Sequence, residues 1–205
     1  RVFGVEPTDT HQIALDRGIE TLNSFFGPKA ATEVVKRNGP CKIVTATNVF
    51  AHIEHVHEIV ESILAMLDHD GIFISESHYL LPLIETLQYD TIYHEHLRYY
   101  SLQSLKYLLE MHELEIIHAK RIPTHGGSIR VYAARKGQKA IQPSVAELLA
   151  VENQQLTWEQ FMDFRSRASQ SKLDLMAMLK KIRGKGEKVY GIGAPSRAST
   201  LVNYV

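Results

Sequence analysis

The chain has 205 residues, 44% hydrophobic and 22% charged, an ordinary composition for a globular protein. Lysine and arginine total 23, as do aspartate and glutamate, so no net charge attracts nucleic acid or an anionic membrane. There is no apolar run of the roughly 20 residues that cross a bilayer, and the single cysteine, Cys41, cannot form an internal disulfide, so we expect a soluble cytoplasmic protein without nucleic-acid or membrane partners.

The first half of the chain predicts alternating strands and helices. Residues 1–7 indicate a short buried strand that ends at Glu6. Two further buried strands are predicted at residues 43–46 and 72–75. The helix between them has apolar residues at helical spacing, namely Val56, Ile59, Val60, Ile63, Leu64 and Leu67. This order predicts a right-handed crossover and a parallel α/β sheet.

The second half predicts a change of architecture. Residues 80–87 and 101–111 indicate helices on either side of a polar segment, and residues 114–119 and 128–134 indicate two antiparallel strands. A polar helical bridge is predicted over residues 143–183, then a strand at 188–192 and a helix from Ser196. We therefore predict one domain over residues 1–142, and the bridge with the start of a second α/β domain over residues 143–205.

Four motifs follow one another along the chain: Asn48-Val49-Phe50-Ala51-His52-Ile53, Tyr89-Asp90-Thr91-Ile92-Tyr93-His94-Glu95-His96, His125-Gly126-Gly127-Ser128-Ile129-Arg130-Val131 and Tyr190-Gly191-Ile192-Gly193-Ala194-Pro195. Together they resemble the S-adenosylmethionine-dependent C-methyltransferases that act on nucleotide-linked keto-deoxysugars, and the resemblance covers residues 2–204. It implies a Rossmann-like class I methyltransferase sheet that lacks its first strand here. It also implies S-adenosylmethionine as cofactor and a nucleotide-diphosphate keto-deoxysugar as substrate.

The segment from Tyr93 to His96 concentrates groups that transfer protons. Methyl transfer to a carbon next to a ketone needs a base for the acidic C–H and a donor for the enolate oxygen. His96 suits the base, Glu95 can orient its ring, and Tyr93 can donate to the enolate. The resemblance assigns these three positions to the active centre, and the alternative is a solvated surface loop.

His52 follows the strand at residues 43–46, where the carboxyl end of a strand faces the ligand crevice of a doubly wound sheet. The resemblance makes His52 a second acid or base and places Asn48 and Phe50 at the cofactor. A plain helix-start role is the alternative for His52. Glu6 ends the first predicted strand, where a carboxylate can accept the hydroxyls of a cofactor ribose.

Histidines are also frequent just after the His52 motif, at His55 and His57. They suggest a metal site, but such a site needs ligands that converge in space, usually with cysteine or carboxylate at matched spacing, and these histidines follow no such ligand pattern. We predict no metal.

Two glycine turns are candidate ligand loops. In the motif that begins at His125, paired glycines permit close backbone approach and Arg130 carries a charge, so the predicted substrate contacts are His125, Gly126, Gly127, Ser128 and Arg130. The turn at Gly193 precedes a predicted helix whose N–H groups suit a phosphate. The resemblance adds Ser196 and Arg197 as diphosphate contacts. A hairpin turn and a structural tight turn are the respective alternatives.

Two other functions fit parts of the sequence. One is an NAD(P)-dependent sugar-nucleotide oxidoreductase, although Leu97 stands where a lysine four residues after Tyr93 would support it. The other is a non-catalytic sugar-nucleotide-binding module. The resemblance further implies that the full-length protein has an amino-terminal zinc-binding domain and a glycine turn before residue 1. We therefore expect weak donor binding by residues 1–205 alone.

Overall fold

The computed structural model describes all 205 residues. Its strands and helices, in chain order, are β1 (Phe3–Val5), α1 (Thr10–Asp16), β2 (Glu20–Leu22), α2 (Pro28–Asn38), β3 (Cys41–Thr47), α3 (Val56–Met66), β4 (Leu67–His78), α4 (Leu80–Glu85), α5 (Leu102–Glu110), β5 (Leu114–Ile122), β6 (Ser128–Arg135), α6 (Pro143–Gln155), α7 (Trp158–Gly184) and α8 (Ala198–Tyr204). None of the helices combines the length and apolar character that crossing a bilayer requires.

The main sheet has the strand order β3-β4-β6-β5. β3 and β4 pair in parallel, with Ile43 beside Ile72, whereas β6 pairs antiparallel with both β4 and β5. The predicted parallel crossover and the antiparallel end of the sheet are therefore confirmed. α3 makes the crossover and buries the apolar face that its periodicity predicted, including Val60 and Ile63.

A second, smaller sheet lies at the start of the chain. β1 and β2 pair in parallel, with Phe3 opposite Glu20. The predicted first strand is present, but its residues are half-buried rather than buried because only one neighbouring strand covers it.

The carboxy-terminal third differs from the prediction in one element. Residues 188–192 form no strand, and Ile192 is 99% exposed. A strand needs a neighbour to share its backbone hydrogen bonds, and neither sheet pairs with this segment. The predicted bridge is two helices, α6 and α7, and Thr157 caps the second by accepting from the Gln160 N–H at 3.3 Å. The domain boundary at residue 142 remains a prediction.

α8 returns to the first part of the chain. Its Tyr204 ring lies 5.6 Å from the Tyr89 ring, and Thr200 donates to the Ile92 carbonyl at 2.8 Å. The carboxy terminus therefore packs beside the segment that carries the candidate catalytic residues.

Candidate active site

The candidate site lies where β3 and β4 end. Because the two strands are parallel, Asn48, directly after β3, and His78, the last residue of β4, lie at the same edge of the sheet. The Asn48 N–H donates to the Glu76 carbonyl at 2.8 Å, with the left-handed φ of 55° that asparagine tolerates. A cavity of about 710 Å³ opens at this edge. Among its lining residues are the predicted site residues Asn48, His52, Tyr93, His96, His125, Gly126 and Arg197.

The segment that carries Tyr93 and His96 is held against the turn after β3. The Leu97 N–H donates to the Ala51 carbonyl at 2.8 Å. The Arg98 guanidinium donates to the carbonyls of Ile53 and Glu54. A polar connector without regular secondary structure is thus fixed by backbone acceptors of the neighbouring loop, which brings His96 next to His52.

His96 has the geometry of a base. Its Nδ1–H donates to the Thr91 carbonyl at 3.2 Å, and since a carbonyl can only accept, the neutral ring keeps its Nε2 unprotonated. The ring lies 4.7 Å from the Tyr93 ring and 5.1 Å from the His52 ring. Burial lowers the pKa of His96, and the charges of His52 and His78 lower it further. The ring is therefore neutral, and able to take up a proton, at pH 7.

The prediction that Glu95 orients the His96 ring is wrong, because the Glu95 carboxylate bonds Tyr93 and His96 bonds Thr91. The Glu95 carboxylate accepts from the Tyr93 hydroxyl at 3.2 Å, while its backbone carbonyl accepts from His52 Nδ1–H at 2.8 Å. The Thr91 carbonyl, rather than the Glu95 carboxylate, orients the His96 ring. Burial, then the bond to Glu95, raises the pKa of Tyr93, which keeps its hydroxyl a donor.

Phe50 is a core residue rather than a cofactor contact. It is 1% exposed, and its ring lies 5.7 Å from the Phe73 ring and 6.4 Å from the Tyr100 ring. Removing the apolar ring from water and packing it between aromatic neighbours stabilises its place in the core. The flanking Asn48 and His52 line the cavity.

Ser128 and Arg130 do not line the cavity. Ser128 is fully buried and its hydroxyl donates to the Thr124 carbonyl at 3.1 Å. Arg130 Nε and Nη2 lie 3.0 and 2.7 Å from one oxygen of the buried Glu76 carboxylate. Thr124 donates to the other oxygen at 3.1 Å. The arginine charge is thus compensated within the protein, and the network fastens the 124–127 loop to β4.

The paired glycines of this loop allow close contact with other residues of the chain rather than with a ligand. A Cβ on Gly127 would lie 2.5 Å from Pro82 Cβ, and one on Gly126 would lie 2.6 Å from Gln88 Oε1. Both glycines have φ in the left-handed half of the map, at 122° and 81°. They let α4 and Gln88 approach the loop, which places His125 and the Gly126 backbone at the cavity.

We expect Gly127→Ala to lower the free energy of unfolding by about 2 to 4 kcal/mol, because the new methyl overlaps Pro82 and the backbone is strained. Gly137→Ala is the matched control. Gly137 has φ 74° but nothing within 4 Å of an added Cβ, so only the strain of about 1 to 2 kcal/mol should appear. Equal losses in denaturant titrations of both variants would show that Pro82 is not in the way.

Besides Phe50, Glu95, Gly127, Ser128 and Arg130, three further predicted residues lie outside the cavity lining. Glu6 follows β1, and its carboxylate accepts from the Thr8 hydroxyl at 2.6 Å and the Thr8 N–H at 2.9 Å, bonds that lower the pKa of Glu6. Gly193 and Ser196 are exposed. Arg197 does line the cavity, with its Nε 3.5 Å from Asp90.

Sequence reasoning missed His78, Gln88 and Thr91, all of which line the cavity. His78 follows the predicted strand at 72–75 closely, so the rule about carboxyl strand ends that selected His52 applies to it equally. Thr91 belongs to the second motif but had no role assigned to it, and Gln88 carried no comparable signal. The imidazoles of the cavity are not part of any group of three or more side chains that converges as metal ligands.

Two family models match successive parts of the chain. Residues 1–119 match the methyltransferase domain family and residues 123–205 match the C-methyltransferase C-terminal domain family. The C-methyltransferase NovU of Streptomyces niveus is 36% identical over 98% of this chain. The chain spans about half, 49%, of the length of that relative.

Solved structures share the fold at low identity. A SAM-dependent methyltransferase from Anabaena variabilis superposes with a TM-score of 0.50 at 15% identity, over 66% of this chain and 68% of the other. LepI in complex with SAH and a substrate analogue superposes with a TM-score of 0.51 at 13% identity, over 66% and 36% of the two chains. With its mixed α/β sheet and both domain matches, the chain belongs to the S-adenosylmethionine-dependent C-methyltransferase family and has its Rossmann-like fold.

Proposed function

We propose that this chain carries the catalytic centre for moving a methyl group from S-adenosylmethionine to the carbon beside the ketone of a nucleotide-diphosphate keto-deoxysugar. The observation that carries the proposal is the unprotonated Nε2 of His96, which results from its Nδ1–H bond to Thr91, in a cavity it shares with Tyr93. The similarity to NovU supports carbon as the methyl acceptor.

The proposed step begins at His96. Its Nε2 takes the proton from the carbon beside the ketone, and the C–H electron pair forms the enolate. The hydroxyl of Tyr93 stays protonated and has a single hydrogen, which it donates to the Glu95 carboxylate in the free site and turns to the enolate oxygen as charge develops there. His52, whose Nδ1–H is bound by the Glu95 carbonyl, also has a free Nε2 and is a second acid or base.

The methyl donor supplies an electrophilic methyl group when bound. The ionised Glu6 carboxylate and the Asn48 amide, which lies at the end of β3, have the acceptor chemistry that ribose hydroxyls and an amino group need. We assign both to the donor. Arg197, half-exposed at the cavity, and His125 are assigned to the substrate diphosphate. The single free cysteine fits a cytoplasmic location.

Proton exchange without a methyl donor tests the base directly. Thymidine diphosphate 4-keto-6-deoxyglucose, incubated with the chain in deuterated water, should gain deuterium next to its ketone. Thymidine diphosphate glucose, which has no ketone, is the matched control and should gain none. Binding without exchange would identify a sugar-nucleotide-binding module instead. Exchange only on addition of a nicotinamide cofactor would favour the oxidoreductase.

The exchange rate should depend on the neutral form of His96. Burial and two neighbouring imidazoles lower the pKa of His96 from the usual 6.5. As the pH is lowered, the exchange rate should therefore stay level past pH 6.5, and it should fall about tenfold per pH unit only below the lowered pKa. His52→Asn removes one of those neighbours, so the acid limb should move upward, toward pH 6.5, whatever the plateau rate. A limb at or above pH 6.5 in the unaltered chain would contradict this assignment.

Tyr93→Phe should lower the exchange rate by about 10- to 1000-fold, because one hydrogen bond to the enolate is lost while the ring remains. The Tyr93 hydroxyl bonds only the partly exposed Glu95 carboxylate, so the melting temperature should change little. A large fall in melting temperature would instead make Tyr93 a structural residue.

A further inference from the structure

The amide of Gln88 has a defined orientation. Its Nε2 lies 2.8 Å from the Gly126 carbonyl oxygen and 2.6 Å from Thr86 Oγ1. A carbonyl oxygen can only accept, so the nitrogen of the amide must face Gly126. The amide oxygen, Oε1, then faces the ring of His78.

This orientation fixes the tautomer of His78. Gln88 Oε1 lies 3.1 Å from His78 Nε2, and since an amide oxygen only accepts, the proton of the ring is on Nε2. In the neutral ring Nδ1 then carries a lone pair. Burial, the main cause, lowers the pKa of His78 and keeps the ring neutral at pH 7. Nδ1 has no hydrogen-bond partner in the chain, and the residue lines the cavity.

The other two fixed imidazoles present the same kind of atom. His52 and His96 donate through Nδ1 to backbone carbonyls, which leaves Nε2 of each ring as an acceptor. The His96 ring is 5.1 Å from the His52 ring and 6.1 Å from the His78 ring. Three neighbouring imidazoles that line the cavity therefore each keep one acceptor nitrogen, and a ligand that bonds those not used in the reaction brings donors, such as hydroxyl groups.

We propose that His78 is a further substrate-binding residue whose Nδ1 accepts a hydrogen bond from a sugar hydroxyl, and that Gln88 is the positioning residue that fixes the tautomer. The identity of the ligand rests on the proposed function, whereas the tautomer follows from the geometry alone. Gly126 belongs to the same hydrogen-bond network, because its carbonyl accepts from the Gln88 amide and fixes its orientation.

Imidazole nitrogen NMR tests the tautomer without a ligand. Two-bond proton–nitrogen correlations at pH 7.5 should show His78 protonated on Nε2, and His52 and His96 protonated on Nδ1. In Gln88→Met, the His78 signals should move toward the average of the two tautomers. A His78 protonated on Nδ1, or one that Gln88→Met leaves unchanged, overturns the inference.

The same spectra test the contact. Thymidine diphosphate 4-keto-6-deoxyglucose should shift the His78 Nδ1 resonance, while thymidine diphosphate, which lacks the sugar, should not. Equal shifts with both probes, or no shift, overturn the contact. Failure of the proposed function would appear differently, as a shifted His78 Nδ1 without deuterium exchange.

Two isosteric variants separate binding from support. His78→Asn keeps a side-chain oxygen near the position of Nδ1, and His78→Gln keeps a polar atom near Nε2, where Gln88 bonds. The substrate concentration that half-saturates deuterium exchange should rise about tenfold in His78→Gln, because one hydrogen bond to the substrate is lost. In His78→Asn it should rise less than about threefold. The reverse order would make the bond to Gln88 the only role of His78. His69→Gln, at an exposed histidine on β4, should leave half-saturation unchanged.

Discussion

Replacing His96 with asparagine is expected to lower the rate of deuterium exchange by about 10² to 10⁴, the usual loss when a general base is removed. The asparagine amide can still donate to the Thr91 carbonyl, as His96 Nδ1 does, so the local structure should persist. It has no basic nitrogen where Nε2 stands. Substrate affinity should therefore change much less than the rate.

The matched control is His94→Asn. His94 belongs to the same segment, but its side chain is 77% exposed and does not line the cavity, so the exchange rate should stay within about twofold. His52→Asn is measured in parallel because His52 also has a free Nε2. If His96→Asn remained within a few-fold of the unaltered chain while His52→Asn did not, His52 would be the base.

The sequence predicted the parts of the fold that depend on local pattern. The apolar spacing in α3 and the two flanking apolar runs were enough for the β3-α3-β4 crossover, because periodicity reports directly which face is buried. The density of proton-transfer groups from Tyr93 to His96 likewise drew attention to a segment of which Tyr93 and His96 line the cavity.

The errors arise where a side chain chooses a distant partner. Arg130 was available to a ligand until Glu76, 54 residues earlier in the chain, was seen to pair with it. His96 had a carboxylate as its nearest neighbour in sequence, yet the Thr91 carbonyl five residues away binds it. The strand predicted at residues 188–192 failed for the same reason, since a strand exists only where another strand pairs with it.

Glu152 carries the largest expected effect on stability. This residue of α6 is 2% exposed, and its carboxylate accepts from the N–H groups of Leu102 and Gln103 at the start of α5. Ser101 accepts from Ser104 N–H at 3.0 Å, so three of the first donors of α5 are satisfied by side chains. The catalytic segment leads directly into this helix, and the Tyr100 carbonyl accepts from Leu80 N–H at 2.9 Å.

Glu152→Ala should therefore lower the free energy of unfolding by about 2 to 6 kcal/mol, because the buried Leu102 N–H and the partly buried Gln103 N–H lose their acceptor and each costs about 1 to 3 kcal/mol. Glu152→Gln keeps one oxygen acceptor and turns an NH₂ group toward the other N–H, so its loss should be intermediate. Glu147→Ala, at an exposed glutamate of the same helix, should stay within about 0.5 kcal/mol. Denaturant titrations of the three variants measure this order. Equal losses for Glu152→Ala and Glu147→Ala would mean that the buried carboxylate does not hold the start of α5, whereas the expected order would make α6 a support of the catalytic segment as well as a helix of the bridge.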